Sequence, residues 1–174
     1  MARRSAAQIK KDELKVLQDL KKNARGSIEH IAKKHHFSRQ KVWRIIKRLE
    51  KKEKIWGYNT VVDDEKLEKK RFIIMIKRST EPIDDAIPKI IDLTMHNKGL
   101  KVGVDVECSS YLHGKYDWMF VVTAEDMKSV KQFSHLLTKE YHLWISEVQI
   151  LEDIFPVKKC GIINPNMDEL KKMV

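Results

Sequence analysis

Residues 38–51, Ser-Arg-Gln-Lys-Val-Trp-Arg-Ile-Ile-Lys-Arg-Leu-Glu-Lys, constrain the fold more than any other stretch. Val42, Ile45, Ile46 and Leu49 recur at i, i+3, i+4 and i+7, which is one face of an α-helix. At about 100° per residue the opposite face carries Gln40, Arg44, Lys47 and Lys51, with Trp43 and Arg48 on its flanks. Ser38 stands where an N-cap hydroxyl accepts from a free N–H of the first turn. The result is a short helix with an apolar back and a front of long basic and amide side chains. Such a front suits a groove lined by phosphates and base edges. The same pattern also describes an ordinary surface helix with solvated lysines, so the neighbouring segments decide between the two.

Upstream, residues 10–23 read as a helix in which Leu14, Leu17 and Leu20 keep helical spacing, Val16 lies on the flank, and Asp12 and Glu13 occupy the favourable first turn. Asn23-Ala24-Arg25-Gly26 breaks it. Ser27 caps a second, short helix over residues 28–35, with Ile28, Ile31 and Ala32 inward, and His35-His36-Phe37 is a tight turn. Helix, short helix, turn and basic helix make a helix-turn-helix, whose first member braces the second against a duplex. Downstream, the aromatic and β-branched residues of 55–63 around Gly57 predict a small β-hairpin, a wing.

Charge distribution separates this segment from the rest. Residues 1–71 hold 22 Lys+Arg against 10 Asp+Glu, a net +12, whereas residues 72–174 hold 13 against 15, a net −2. A basic segment joined to a nearly neutral one is the footprint of a polyanion-binding module attached to a module with another task. The basic N-terminus lacks an apolar core of the secretory type. The longest bulky apolar run, residues 72–76, falls far short of the ~18–20 residues that span a bilayer. Cys108 and Cys160 show no paired spacing, which predicts free thiols and a cytoplasmic protein.

The run Asp12, Leu17, Leu20, Asn23-Ala24-Arg25, Ile31-Ala32, Phe37-Ser38, Val42, Arg44-Ile45, Leu49-Glu50, Ile55 and Gly57-Tyr58 resembles, in order and spacing, the DNA-binding domain of the Lrp/AsnC (feast/famine) transcription regulators. Three positions depart from that pattern: His36 stands where the family commonly has a turn glycine, the glycine that usually precedes the wing is replaced within Glu53-Lys54, and Trp43 is large for a recognition helix.

The rest of the chain reads as a second module. Residues 64–71 form a charged linker. Phe72-Ile73-Ile74-Met75-Ile76 is apolar at every position, so both of its faces must be covered. Residues 83–96 predict one helix, with Ile83, Ile87, Ile90, Ile91 and Leu93–Thr94 as its buried side and Pro88 in an early turn. Val102, Val104 and Val106 alternate as a half-buried strand, residues 111–115 turn, and residues 116–122 are again apolar on both faces. A helix over residues 127–138, with Met127, Val130, Phe133 and Leu137 inward, and a strand over 144–157 complete the order β-α-β-β-α-β, the ferredoxin-like arrangement. Both helices then cover one face of the sheet. The first and third strands require a cover on the other, and a second subunit related by a two-fold axis is the simplest source.

The fold expected is therefore α+β: a winged helix-turn-helix over residues 1–63, a linker over 64–71, a ferredoxin-like (RAM-type) domain over 72–157, and a tail over 158–174 with a short helical pattern at 167–173. The resemblance extends from about residue 10 to about 157. It implies a homodimer or dimer-based oligomer and a small-molecule effector such as an amino acid, near the Gly-x-Tyr-Asp stretch that is here Gly114-Lys115-Tyr116-Asp117. Gly114, Tyr116 and Asp117 are thus the effector candidates, although turn and cap duties account for Gly114 and Asp117 equally well.

For duplex DNA, Ser38, Gln40, Trp43 and Arg44 are expected at the major groove, with Arg44 or Gln40 on base edges. Arg39, Lys41, Lys47, Lys51 and the wing are expected on phosphates, and Arg3 and Arg4 either form a minor-groove arm or a free terminus. Trp43 either touches DNA or packs on the wing. An enzymatic alternative is the winged-helix decarboxylase type of tetrapyrrole synthesis. Its arginine-rich pattern after the second helix of the motif is missing from Ile55-Trp56-Gly57-Tyr58-Asn59-Thr60, and no nucleophile–base pair or paired-acid motif stands out. Vestigial DNA binding is disfavoured by the +12 charge. The seven histidines supply no four-ligand spacing, so neither metal nor cofactor is expected.

Overall fold

Serine hydroxyls start all three N-terminal helices in a computed structural model that describes residues 5–172. Ser5 accepts from the Gln8 N–H ahead of α1 (Ala6–Lys22), Ser27 from His30 ahead of α2 (Ile28–His35), and Ser38 from Lys41 ahead of α3 (Arg39–Lys51). The Ser5 cap carries α1 a full turn further upstream than its leucine spacing predicts. Between α2 and α3, His36 takes a left-handed conformation, φ 53°, and its N–H closes on the Ala32 and Lys33 carbonyls. A helix C-cap normally gives that position to glycine.

The core of this unit is Val16, Leu20, Ile31, Ala32, Val42, Ile45 and Leu49, with Ile46 only partly buried. The register of α1 differs from expectation. Val16 is fully buried and Leu14 is 50% exposed. Asp12 and Glu13, expected in the first turn, fall beyond it because α1 starts at Ala6, and they occupy inward positions at 4% and 5% exposure.

The expected wing hairpin is not formed: residues 55–63 hold no strand. A lone Gly57 does not supply the paired positive-φ residues that a two-residue hairpin turn demands, and an isolated pair of strands is marginal in water. The segment is fastened to α3 instead, where the Tyr58 hydroxyl donates to Glu50 at 3.0 Å. Trp56 beside it is 97% exposed.

Residues 62–156 form a separate compact unit, and the segment from Val157 groups with the N-terminal helices. Its sheet comprises β1 (Lys70–Arg78), β2 (Asp105–Tyr111), β3 (Trp118–Ala124) and β4 (Ile145–Asp153) in the order β2-β3-β1-β4, with antiparallel neighbours. Helices α4 (Ile87–Ile91), α5 (Thr94–Lys101) and α6 (Met127–Glu140) complete the β-α-β-β-α-β sequence. Phe72, Ile74, Ile76, Trp118, Phe120 and Val122 face the helices and are nearly or fully buried. Their alternates Ile73, Met75, Met119 and Val121 lie on the opposite face, paired as Ile73↔Val121 and Met75↔Met119, and are only half-buried. That face carries Leu151 as well, opposite Ile73 and 42% exposed.

The single helix expected over residues 83–96 is instead a 3-10 turn (Asp84–Ala86), α4 and α5, broken where Leu93 adopts φ 52°. Its buried side changes accordingly. Ala86, Met95 and Gly99 point inward, while Ile87, Ile91 and Leu93 are exposed. Gly99 permits the close approach: a Cβ there would lie 2.8 Å from the Val104 carbonyl and 3.2 Å from the Phe133 ring. The second strand also runs later than its valines suggest, with Val104 fully buried just before it.

The linker contains a 3-10 turn, Glu65–Leu67, and ends where Arg71 enters β1 between Asp64 and Glu107. Beyond β4, β5 (Lys158–Lys159) and β6 (Ile162–Ile163) make a small hairpin that the sequence did not suggest, followed by a 3-10 segment, Met167–Lys172. Arg3, Arg4 and Met173 lie outside the described residues.

Candidate nucleic-acid interface

The front of α3 divides into open and engaged side chains. Ser38, Arg39, Gln40, Trp43, Arg44, Lys47 and Lys51 are exposed. Arg44 reaches back along the helix to the Gln40 carbonyl at 3.4 Å, a weak contact that leaves most of its donors available. Trp43 is 53% exposed. Lys47 forms an ion pair with Glu50 at 2.8 Å, and this pair, with the Tyr58 hydrogen bond second, holds the Glu50 carboxyl below its usual range.

Lys41 is not part of the open front. Its ammonium lies 2.5 Å from Asp12 and 3.4 Å above the Phe37 ring, and the side chain is only 19% exposed. Arg48 and Lys54 converge on Glu13 at 2.7 and 3.0 Å. Burial alone would raise the Glu13 carboxyl, but the Lys54 and Arg48 cations reverse this and hold it low. Two turns further along α1, Asp19 receives Lys34 and His35, with the Lys34 hydrogen bond the largest influence lowering its carboxyl. The acidic residues of α1 therefore tie α2 and α3 to it by charge as well as by the apolar core. Sequence reading missed this role. The available signal was the spacing of Asp12 and Glu13, four residues ahead of Val16 and Leu17 on the inward side of the helix.

In the second unit, Gly114 stands in open space on an exposed turn. The Tyr116 hydroxyl hydrogen-bonds Gln149 on β4. Asp117 closes the turn: its carboxylate accepts from the Arg78 N–H at 2.8 Å, its own N–H donates to Ile76, and its carbonyl accepts from Leu112. Among the described residues, no group of three or more His, Cys, Asp or Glu side chains is arranged to hold a metal ion, and no helix is long and apolar enough to cross a membrane.

Residues 13–55 match the family model of winged helix-turn-helix DNA-binding domains. No curated protein matches the chain in sequence. Solved structures match nearly all of it. A transcriptional regulator from Neisseria meningitidis, solved as its L-Met complex, is 20% identical with a TM-score of 0.66, covering 90% of this chain and 97% of its own. An AsnC family transcriptional regulator from Agrobacterium tumefaciens is 17% identical with a TM-score of 0.66, covering 94% and 98%. LrpC of B. subtilis is 17% identical with a TM-score of 0.60, covering 91% and 99%. The ferredoxin-like order of the second unit and the helix-turn-helix of the first thus recur together in these proteins, and the chain carries a helix-turn-helix DNA-binding domain on the fold of the Lrp/AsnC transcription regulators.

Proposed function

We propose that the chain is a transcription regulator of the cytoplasm that binds duplex DNA as a homodimer or a dimer-based oligomer and responds to a small effector of the amino-acid class. The observation that carries the reading is the open front of α3: Gln40, Arg44 and Lys51 are exposed side by side, with Arg39 exposed at the helix start, on a helix whose back is locked into a three-helix core. Arg44 and Gln40 are the base-reading candidates. Ser38 and Trp43 lie beside them at the groove, and Arg39, Lys47 and Lys51 contact phosphates. Lys41, at the edge of that front, ties α3 to α1 instead, because its charge is already used by Asp12.

The half-buried sheet face of Ile73, Met75, Met119 and Val121 supports the dimer, since a second sheet laid on it would bury those side chains fully. Two α3 helices related by a two-fold axis then favour half-sites about one DNA turn apart, or multiples of it. Support for an effector near Gly114 and Tyr116 comes from the turn they share and from the Neisseria relative having been solved with L-Met. Asp117 has a turn-closing duty of its own, which any effector contact would have to share. The reading assigns the chain no catalytic step.

Titrating random-sequence duplex with the full chain at rising KCl tests the DNA reading. Saturable binding that weakens steeply with salt is expected, and no binding at low salt would overturn it. Thermal shift against a panel of the twenty amino acids tests the effector: one or a few should raise the melting temperature, and a flat panel would remove the amino-acid class.

A further inference from the structure

We propose that Asp12 and Glu13 set DNA specificity by withholding Lys41, Arg48 and Lys54 from the phosphate backbone. The inference rests on the DNA-binding reading above and adds to it which basic residues do not touch DNA.

The geometry begins on α1. Asp12 and Glu13 have side chains 5% and 6% exposed, yet both carry charge partners. One Asp12 oxygen takes the Lys41 ammonium at 2.5 Å and the other takes the Gln8 amide at 2.9 Å. Glu13 takes Arg48 on one oxygen and Lys54 on the other. The Arg48 contact is close but unaligned for a hydrogen bond, so charge holds it rather than direction. A buried carboxylate without a cation is costly, and α1 therefore binds these cations firmly for its own solvation.

Lys41 and Arg48 are seven residues apart, two turns on the same side of α3. They lie roughly 60° and 40° around the helix from Arg44. That is the edge of the exposed front, on the side away from Gln40 and Lys47. Arg48 and Lys54 keep 38% and 47% of their side chains exposed, so both have access to solvent on release.

The consequence follows from what each kind of contact contributes. Every cation placed on a phosphate adds sequence-independent affinity and steepens the salt dependence. Base edges alone carry the sequence. Two further free cations on the helix edge, with a third at Lys54 just past the helix, would bind all DNA more tightly without reading any more of it. Pairing them with Asp12 and Glu13 keeps their contribution to packing and removes their contribution to indiscriminate binding.

The test measures affinity for random-sequence duplex, and for the best sequence selected from a random pool, over a KCl series with the full-length chain. The variants are Asp12→Asn, Glu13→Gln and, as an independent arm on a solvent-accessible side chain, Lys54→Gln. The log–log salt slope on random duplex should steepen by about 0.9 for Asp12→Asn and by up to about 1.8 for Glu13→Gln. Random duplex should be bound more tightly, and the ratio of selected to random affinity should fall several-fold. Lys54→Gln should leave the slope as it is in the unchanged chain. A helix merely loosened by lost packing would weaken binding on every sequence, and that result, or an unchanged slope, overturns the proposal. If the carboxylate variants do not fold, Lys54→Gln still decides: a slope lowered by about 0.9 shows that this cation already sits on a phosphate. Failure of the unchanged chain to bind any duplex would sink the DNA reading itself, whereas binding with slopes indifferent to Asp12 and Glu13 would sink only the withholding role.

Discussion

The Asp117 carboxylate accepts the Arg78 backbone N–H at 2.8 Å, joining the turn before β3 to the end of β1. Asp117 belongs to the Gly-x-Tyr-Asp stretch that sequence resemblance ties to an effector, and its geometry gives it a structural duty first. Asp117→Ala should lower stability by about 1–2 kcal/mol, since it strands a partly buried donor. Asp117→Asn, which keeps an acceptor oxygen, should lose less than half of that. Chemical denaturation of both variants checks this, and an Asp117→Ala protein as stable as the unchanged chain would contradict it.

Glu140 makes stability pH-dependent. Hydrogen bonds from Lys89 on α4 and Lys98 on α5 hold its carboxyl down to about 2, from an ordinary value of 4.5. A carboxyl lowered on folding contributes stability that is present above pH 4.5 and lost as pH falls toward 2. Melting temperature should therefore drop over that window, and Glu140→Gln should flatten the drop while lowering stability at neutral pH. Parallel melts of the two proteins from pH 6 to pH 2 measure it; coincident pH profiles would show that the lysine pairs contribute nothing.

His36 holds a left-handed conformation that a side chain with a Cβ tolerates poorly. His36→Gly should raise stability by about 0.5–1 kcal/mol, the relief of strain exceeding the extra freedom of glycine in the unfolded chain. The midpoint of urea unfolding reports the change, and a lower midpoint for the glycine variant would show that the imidazole contributes more than its backbone costs.

Met75→Lys places a charge in the middle of the half-buried sheet face, next to Met119 across the strand pair. The variant should fold and run at monomer mass in light scattering at micromolar concentration, where the unchanged chain runs at dimer mass or above. An unchanged chain of monomer mass would remove the argument for a covered sheet.

Much of the fold was legible because period and capping carry it. Ser27 and Ser38 mark the starts of α2 and α3 as they stand, and the double-sided apolar runs mark β1 and β3. The misreadings share a cause, which is that a tertiary partner outweighs a local pattern. Residues 83–96 carry enough isoleucine for one continuous helix, but burying Met95 and Gly99 against β2 and α6 requires a break at Leu93, and the exposed Ile91 is the consequence. Leu14 fits the leucine spacing of α1 but is displaced outward by Asp12 and Glu13. The segment 55–63 has strand composition without a strand to pair with. At the candidate interface, the exposure of Gln40, Arg44, Lys47 and Lys51 follows from helical spacing alone. That Lys41 turns from the edge of the front toward α1 does not, because its direction is set by a carboxylate 29 positions away in sequence, on another helix.

Selection from a random duplex pool, with the unchanged chain and Arg44→Ala run side by side, tests most directly whether the exposed front of α3 reads DNA sequence. The unchanged chain should enrich a two-fold motif with half-sites about one helical turn, or a multiple, apart. Arg44→Ala should bind the enriched site more weakly by about 1–3 kcal/mol and lose preference at one position of each half-site while keeping the others. Failure of the unchanged chain to enrich any motif, or an equal loss on selected and random sequences for Arg44→Ala, would contradict the account.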